Sequence, residues 1–363
     1  MSEIICDDIG PARVIQLYSA RERLRAVLVV DNTALGTAIG GVRVSPRVTT
    51  GEVLRLARTM TLKNSLAGLP HGGAKAGIIA DPATMDKERC FRVFARMIRD
   101  CTDYIPGPDM GCDETAMAWI HDETGRAVGL PQEIGGLPLD KLGATGFGLA
   151  ESAGIAAPIA GIELSGARVA IQGFGSVGAA AARFLSAKGA VLVAVSDSKG
   201  GLHDPEGIDL HALTKAKEES GSVAGHGKGR RIPADELFGV DCDILIPAAT
   251  PDVIHSGNAG AIAARLILQG ANIPATREAE EALHRRGILI VPDFIANAGG
   301  VIMAAMEYAG KSEPEAFAAI WSQIRRNTGL VLEKAAAAKI LPRAAAVELA
   351  TERVRHAMAY RDY

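Results

Sequence analysis

The chain has 363 residues, a formal net charge of −3 and no long basic run, which argues against a nucleic-acid-binding surface. Apolar residues make up 48% and charged residues 22%, as in ordinary globular proteins, and no apolar stretch approaches the roughly 20 residues that span a membrane. The length predicts two domains, and the charge balance predicts a small molecule as the partner.

The N-terminal sequence and the cysteines indicate the cellular compartment and whether a metal site or disulfides are expected. The N-terminal sequence Met-Ser-Glu-Ile-Ile-Cys-Asp-Asp is acidic and lacks the zones of a secretory signal, so we expect a cytoplasmic protein. The five cysteines form no Cys-x-x-Cys pair and have no histidine cluster beside them. They are expected to be reduced thiols, with no disulfide framework and no metal site.

The first part of the chain is expected to be an α/β substrate domain. Short apolar runs alternate with turn residues over 14–44, a pattern typical of strands in a sheet. Thr49 and Glu52 have the spacing of a capping box, which predicts a helix from there to Gly68. A second helix is predicted over 86–103, with one apolar stripe that packs into the core.

Two lysines twelve positions apart frame a glycine-rich turn. Lys63 lies on the last turns of the first predicted helix, and Lys75 follows Gly-Gly-Ala. If both amines enter one cleft, each disfavours protonation of the other, which can bring a lysine pKa from about 10.4 to roughly 7–8 and make it a base. The alternative is two solvated lysines beside an ordinary turn. His71, between them, could tune the pair, although a loop histidine is more often incidental.

The pattern of predicted elements changes at a Gly/Pro-rich connection over 135–143. Beyond it a strand at 167–172, an alanine-rich helix at 177–188 and a strand at 190–195 complete a βαβ unit. Further apolar strands are predicted at 242–246, 265–268 and 288–291, which indicates a doubly wound parallel sheet. We therefore expect a substrate domain at 1–138, to which helical residues 325–363 return, and a Rossmann-type dinucleotide-binding domain at 139–324.

A Gly-x-Gly-x-x-Gly turn follows the first strand of that unit directly. Gly173, Gly175 and Gly178 allow a tight turn and a close approach of pyrophosphate to the N-terminus of the next helix. Asp197 ends the second strand, where it would accept hydrogen bonds from the adenosine ribose and repel a 2′-phosphate. The pattern predicts NAD as the cofactor, while the nearby Lys199 keeps NADP as an alternative. A nucleotide-free α/β domain is the other interpretation.

Several segments together resemble the glutamate/leucine/phenylalanine/valine dehydrogenases, which oxidatively deaminate amino acids. The matching segments occur in the order of that family over most of the chain. They are residues 40–43, 61–64, 72–77, 107–111, 144–148, the turn at 173–178, and 297–301.

The resemblance implies roles for particular residues. In this family the lysine at the place of Lys63 pairs with the substrate α-carboxylate, and the one at the place of Lys75 activates water. The aspartate matching Asp109 exchanges protons with the amine, and the asparagine matching Asn297 aligns substrate and nicotinamide. The family also implies that Gly40 and Gly41 contact substrate. The remaining residues implied in cofactor binding are Thr145, Ser176, Val177, Ala248, Ala249 and Asn272.

The side chain of the substrate is expected to be apolar, either branched or aromatic. Glutamate-specific members of the family carry a lysine and a serine where this chain has Ile39 and Ala304. A second carboxylate would there be buried without a cation, at a cost of several kcal/mol. The pocket would also include Val301 and the space left by Gly107. Glutamate is the alternative, because Glu151 and the segments at 137–146 and 195–200 resemble glutamate dehydrogenases.

Other classes of protein fit the residues less well. A 2-hydroxy-acid dehydrogenase needs a histidine held by a carboxylate, and no such arrangement is visible in the sequence. A non-catalytic NAD-binding scaffold has no physical reason to retain two lysines in one cleft. Self-association into a homo-oligomer is expected from the family and from the general frequency of symmetric oligomers.

Overall fold

The N-terminal part of the chain builds a five-stranded sheet with helices packed against it. The protein is described here by a computed structural model, in which residues 6–361 are placed. The strands are β1 (Arg13–Ser19), β2 (Leu24–Asn32), β3 (Ala38–Val44), β4 (Gly73–Ile78) and β5 (Tyr104–Pro108). The helices are α1 (Thr50–Leu66), α2 (Lys87–Met97) and α3 (Glu114–Thr124).

The strand order in this sheet is β1-β2-β4-β3-β5. The pairs β1–β2 and β2–β4 are antiparallel, whereas β3 runs parallel to both β4 and β5. Strand β4 has the sequence Gly-Ala-Lys-Ala-Gly-Ile and is buried along its whole length. Its small residues let α1 lie directly over it, since a Cβ on Gly73 would come within 2.0 Å of the Thr61 backbone nitrogen. The parallel arrangement places the carboxyl ends of β3, β4 and β5 at one edge.

The predicted helices of this region form, with one changed boundary. Thr49 caps α1, because its Oγ1 accepts a hydrogen bond from the Glu52 N–H at 3.2 Å. Helix α2 begins after its cap Asp86 as predicted but ends at Met97, so the extension to residue 103 was wrong. The guanidinium of Arg126 donates to the backbone carbonyls of Ile98, Arg99 and Cys101, and these contacts hold the chain in turns after the helix.

The second part of the chain builds a seven-stranded sheet. Its strands are β6 (Arg168–Gln172), β7 (Val191–Asp197), β8 (Gly200–His203), β9 (Arg230–Ile232), β10 (Ile244–Pro247), β11 (Leu266–Leu268) and β12 (Leu289–Val291). Its helices are α4 (Leu139–Leu142), α5 (Ala144–Ile159), α6 (Ser176–Ser186), α7 (Leu210–Ser220), α8 (Arg277–Arg285) and α9 (Asp293–Ala296). Helices α10 (Gly299–Tyr308), α11 (Glu313–Ala338) and α12 (Pro342–Met358) complete the chain.

The order of the second sheet is β12-β11-β10-β6-β7-β8-β9. The five strands from β12 to β7 are parallel, as predicted. Strand β7 pairs with β6 on one side, whereas β10 pairs with β6 on the other, so the strand order reverses at β6. Strands β8 and β9 add an antiparallel edge that the sequence pattern did not indicate. Their short sequences, Gly-Gly-Leu-His and Arg-Arg-Ile, lack the apolar run that reveals a buried parallel strand.

The contacts divide the chain into two units whose boundaries differ in part from those expected. Unit 1 comprises residues up to 139 together with 301–319 and the chain from 347, and unit 2 comprises 140–300 and 320–346. Unit 1 therefore includes residues 301–319, which were expected in the second domain, and its last segment begins at 347 rather than at 325. In unit 2, Arg325 on α11 pairs with Glu151 on α5, whereas in unit 1 Arg353 on α12 donates to the Ser65 carbonyl.

Two kinds of feature are absent from residues 6–361. Within this range, no helix is long and apolar enough to cross a membrane. No group of three or more histidine, cysteine, aspartate or glutamate side chains with metal-binding geometry occurs in the same residues.

Candidate active site

The edge of the first sheet brings Lys75 and Asp109 into direct contact. Lys75 lies on β4, Asp109 follows β5, and Lys75 Nζ is 2.7 Å from Asp109 Oδ2. Both side chains are largely buried, with exposed fractions of 8% and 15%. The two residues that the resemblance assigns to proton transfer are thus an ion pair at one point of unit 1.

Glycines of β3 make room for this pair. A Cβ on Gly41 would lie 2.8 Å from Asp109 Cβ and 3.0 Å from Lys75 Nζ. A Cβ on Gly40 would lie 1.7 Å from the Ala74 carbonyl oxygen, so that position requires glycine for strand pairing. Gly40 and Gly41, which are predicted substrate contacts, therefore have a structural function, because they allow β3 to approach β4 and Asp109.

Arg43 is a third charged residue of this cluster, and the sequence analysis gave it no role. Its Nε donates to Asp109 Oδ2 at 3.0 Å, and its Nη1 donates to Glu52 at 2.7 Å. Burial opposes ionisation of Asp109, but Lys75 and Arg43 together more than offset it and hold the pKa of that carboxyl well below its usual value. The signal that could have revealed Arg43 is its place in the Gly-Gly-Val-Arg segment.

Lys63 lies in the last turn of α1, as predicted, and its side chain is buried. The end of this helix is anchored by the neighbouring Asn64, whose Nδ2 donates to the carbonyls of Gly72 at 2.6 Å and Ile39 at 3.4 Å. The helix end that carries Lys63 is therefore tied to the turn before Lys75. The hypothesis that Lys63 disfavours protonation of Lys75 stays a prediction.

His71 has defined partners inside unit 1. Its Nδ1 lies 3.0 Å from the Thr37 carbonyl oxygen, and its ring meets the edge of Tyr308 on α10 at 5.9 Å. Burial lowers the pKa of His71, so the neutral imidazole is favoured. These contacts place a histidine between β3 and α10 and give it a packing role.

The residues expected to contact the substrate side chain lie on three elements of unit 1. Ile39 is on β3, Gly107 is on β5, and Val301 and Ala304 are on α10. Ile39 and Ala304 are buried and apolar. A Cβ on Gly107 would lie 3.2 Å from Val128 Cγ2, so a side chain at this position would press against Val128.

In unit 2 the glycine-rich turn follows β6 and opens α6. Gly173 has a φ of +95°, and a Cβ on Gly178 would lie 1.8 Å from the Gly173 carbonyl oxygen. No atom of the described residues lies within 4 Å of a Cβ on Gly175, so open space faces this glycine. Gly175 is the N-cap of α6 and offers no side chain to the first-turn N–H groups, including those of Ser176 and Val177.

This arrangement fits a dinucleotide pyrophosphate. The turn lies where the chain passes to opposite sides of β6, which is the position of ligand sites in doubly wound sheets. Ala249 follows the neighbouring β10, and its Cβ would be 2.8 Å from a Cβ on Gly173, while the Ala248 N–H donates to Gln172 O. Backbone N–H groups and a helix N-terminus are the groups that hold a phosphate without a cationic side chain.

Asp197 ends β7, but its carboxylate is occupied within unit 2. One oxygen accepts from Lys217 Nζ at 2.6 Å and the Val223 N–H at 2.8 Å, and the other accepts from the Lys199 N–H at 2.9 Å and Ser222 Oγ at 3.2 Å. Burial raises the pKa of Asp197, but Lys217 and these N–H groups outweigh it and lower the pKa overall. No spacing in the sequence announces the Lys217 partner.

Asn297 and Asn272 meet beyond the carboxyl ends of the parallel strands. Asn297 Nδ2 donates to Asn272 Oδ1 at 3.1 Å and to the Gly270 carbonyl at 3.2 Å. Asn297 Oδ1 is buried and accepts no hydrogen bond from the residues that the structure describes. An acceptor in this state suits a ligand that carries an amide N–H. Thr145 lies in the first turn of α5, where it packs beside Gly299.

Comparison with known proteins gives two family matches. Residues 14–126 match the description "Glu/Leu/Phe/Val dehydrogenase, dimerisation domain", and residues 135–362 match "Glutamate/Leucine/Phenylalanine/Valine dehydrogenase". The chain belongs to the glutamate/leucine/phenylalanine/valine dehydrogenase family. It is therefore an oxidoreductase of amino acid metabolism.

Individual members of this family are similar over most of the chain. Glutamate dehydrogenase of Aeropyrum pernix is 40% identical, with 92% of this chain and 85% of that protein covered. The catabolic NAD-specific glutamate dehydrogenase RocG of Bacillus subtilis is 39% identical, over 78% and 70% of the chains. The NADP-specific glutamate dehydrogenase of Saccharolobus shibatae is 43% identical, over 77% and 69%.

Solved structures show the same fold. The hetero-hexameric glutamate dehydrogenase from Thermus thermophilus, in its Leu-bound form, has a TM-score of 0.88 and 31% identity, over 97% and 90% of the chains. L-tryptophan dehydrogenase from Nostoc punctiforme has a TM-score of 0.73 and 27% identity, over 96% and 97%. The predicted α/β class, with a Rossmann-type domain beside a substrate domain, is thus confirmed for this family member.

Proposed function

We propose that this chain catalyses reversible oxidative deamination of an L-amino acid to its 2-oxo acid and ammonia. The observation that carries the proposal is the buried ion pair of Lys75 and Asp109, whose charged atoms are 2.7 Å apart. One residue can exchange a proton with water and the other with an amine, and a proton can pass directly between them. Hydrolysis of an imine requires both transfers.

The residues act in a fixed order in this proposal. A bound nicotinamide nucleotide supplies the hydride acceptor for the substrate Cα. Lys63 holds the α-carboxylate. A proton moves from Lys75 to Asp109 across their contact, and the neutral amine of Lys75 then takes a proton from the water that adds to the resulting iminium carbon. Asp109 gives its proton to the leaving nitrogen, and ammonia departs as the hydroxyl oxygen of the adduct becomes the carbonyl of the oxo acid. Asp109 takes the hydroxyl proton, and the excess proton passes to solvent.

The comparisons support glutamate as the substrate. The similar proteins from Aeropyrum, Bacillus and Saccharolobus are all glutamate dehydrogenases. They favour the alternative considered in the sequence analysis over an apolar side chain, which was the main prediction there.

One observation favours an apolar amino acid as the second candidate. Ile39 and Ala304 are both buried, with exposed fractions of 3% and 5%, and neither can bind a second carboxylate. Burial of an unpaired carboxylate costs several kcal/mol, and each 1.4 kcal/mol changes selectivity about tenfold.

An oxo acid panel separates these candidates. The rate at which NADH or NADPH is consumed is measured with ammonia and one of three oxo acids: 2-oxoglutarate, 4-methyl-2-oxopentanoate or phenylpyruvate. The values of kcat/KM for the three oxo acids are then compared. Preference for 2-oxoglutarate supports glutamate, and preference for either other acid supports the second candidate. Absence of turnover with every oxo acid would contradict the enzymatic proposal.

A variant at position 39 sharpens the result. If the side-chain pocket includes Ile39, Ile39→Lys should shift kcat/KM towards 2-oxoglutarate by about tenfold or more, because it supplies a cation. Ile39→Met is the matched control, since it adds a long side chain without charge. An equal shift in both variants would show that size rather than charge is responsible.

We propose NAD as the preferred cofactor, with NADP as the alternative. The position of Asp197 at the end of β7 supports NAD, while its pairing with Lys217 weakens its repulsion of a 2′-phosphate. Both cofactors are named among the similar proteins. The ratio of kcat/KM for NADH and NADPH decides the point, and a ratio in favour of NADPH would overturn this assignment.

We also propose that the chain forms a homo-oligomer. Strand β1 lies at the edge of its sheet, where Tyr18 is 66% exposed, and residues 14–126 match a dimerisation domain. Light scattering coupled to size-exclusion chromatography measures the mass. A mass near the 37.8 kDa of a single chain would contradict this proposal.

A further inference from the structure

The glutamate of the predicted capping box does not serve only its helix. In a capping box the side chain at this position returns to the N–H of the cap residue. In this protein the Thr49 hydroxyl caps the Glu52 N–H, but Glu52 Oε1 accepts a hydrogen bond from Arg43 Nη1 at 2.7 Å. The first turn of α1 is thereby connected to β3.

Arg43 continues this connection to Asp109. Its Nε lies 3.0 Å from Asp109 Oδ2, the same oxygen that Lys75 Nζ approaches at 2.7 Å. Only 14% of the Arg43 side chain is exposed, against 31% for Glu52. A guanidinium donates in a rigid planar fork, so a carboxylate on one side restricts the orientation available to the other.

The charged and titratable groups around Asp109 determine whether its carboxyl group is ionised. Lys75 on β4 and Arg43 on β3 are the cations, and Glu52 on α1 faces Arg43 from its other side. Tyr104 on β5 and Cys112 after it also face Asp109, and burial raises the pKa of both groups, so they stay neutral. The ionic state of Asp109 therefore depends on the two cations, and one of them is held by Glu52.

We propose that Glu52 and Arg43 are positioning residues for Asp109, with Glu52 acting through Arg43 to aim the aspartate at Lys75 and at the reacting amine. The proposal rests on the function proposed above, because it requires Asp109 to exchange a proton with that amine. Neither residue touches substrate in this scheme. Their effect is on the orientation and charge of Asp109.

The first test measures kcat in variants of Glu52 and Arg43 and in a control variant of a surface glutamate. Glu52→Gln should lower kcat by about tenfold and Arg43→Gln by about 100-fold, with nucleotide affinity unchanged. Glu88→Gln is the matched control, because Glu88 pairs with Arg92 on the exposed surface of α2. Equal kcat values for Glu52→Gln and Glu88→Gln would overturn the proposal.

The pH profile gives a readout that a general loss of structure would not imitate. Arg43→Gln removes a cation from Asp109, so its pKa should rise and the acid limb of kcat/KM should move to higher pH. Arg43→Lys should keep the limb near its original pH while kcat stays reduced, because an ammonium lacks the two-sided fork. Full rate in Arg43→Lys would show that charge alone suffices and would contradict positioning.

A double variant tests whether Glu52 acts through Arg43. The combination of Glu52→Gln and Arg43→Gln should be no slower than Arg43→Gln alone, because the glutamate then has nothing to orient. Multiplied losses would mean independent roles and would overturn the proposal.

A crystal structure of Glu52→Gln supplies a measurement that does not depend on turnover. Displacement of Arg43 from Asp109 supports the proposal, and an unchanged contact overturns it. If the unmodified enzyme turned over no oxo acid, the proposed function would fail, while this structure would still decide whether Glu52 positions the pair.

Discussion

The acid–base cluster of unit 1 and the nucleotide turn of unit 2 are built in opposite ways. The cluster consists of charged side chains from positions 43, 75 and 109, which three different strands bring together. The turn is one continuous segment at 173–178 that offers backbone N–H groups and needs no charged side chain. In the proposed mechanism, charge is concentrated where protons move, and backbone geometry is used where a phosphate would be held.

The largest expected effect on turnover follows from removing the Lys75 amine from the cluster. Lys75→Ala should lower turnover by about 10³-fold or more, since it removes the proton acceptor for water. Nucleotide affinity, measured by fluorescence titration, should stay unchanged because the turn lies in unit 2. Lys87→Ala, at an exposed position of α2, is the control. Near-normal turnover in Lys75→Ala would remove the catalytic role from this lysine.

A smaller but still severe effect is expected at Gly178. Its Cβ would lie 1.8 Å from the Gly173 carbonyl oxygen, so Gly178→Ala must displace backbone. We expect a destabilisation of about 2–3 kcal/mol together with weakened nucleotide binding. Thermal unfolding and nucleotide titration measure the two effects. Unchanged stability would show that the turn tolerates a side chain at its helix entry.

Gly175 provides the contrasting case within the same turn. Open space faces this residue and its φ is −94°, so Gly175→Ala should change stability by less than about 0.5 kcal/mol. The added methyl group would occupy the approach of the pyrophosphate, so we expect the Kd for nucleotide to rise about tenfold. Gly227→Ala, another open position in unit 2, should change neither quantity. Unaltered affinity in Gly175→Ala would place the phosphate elsewhere.

The smallest effect concerns the carboxylate at the end of β7. The pKa of Asp197 is lowered in the folded protein, so its stabilisation is present above the pKa of the unfolded chain and is lost as the pH falls through the folded value. The difference in Tm between the wild type and Asp197→Asn should therefore shrink from pH 7 to pH 3.5. A difference that stays constant would mean that charge contributes nothing at this site.

Local patterns predicted those parts that depend on neighbouring residues. The cap at Thr49, the helix that carries Lys63 and the strand before the glycine turn all formed close to their expected bounds. The same reasoning missed β8 and β9 and extended α2 too far. The bounds of these elements depend on residues distant in the sequence. Arg126, for example, donates to the Ile98 carbonyl just after the end of α2.

Sequence by itself determined the fold class and the position of the glycine-rich turn, because apolar periodicity and glycine spacing act over a few residues. The family followed from the resemblance of several separate motifs. The sequence also marked Lys75 and Asp109 as separate motifs. Only the tertiary structure decided that these two residues form one ion pair, that Arg43 and Glu52 extend it, and that Lys217 occupies Asp197. Such contacts arise when strand pairing and helix packing bring together residues that lie far apart in the chain, and no local spacing encodes them.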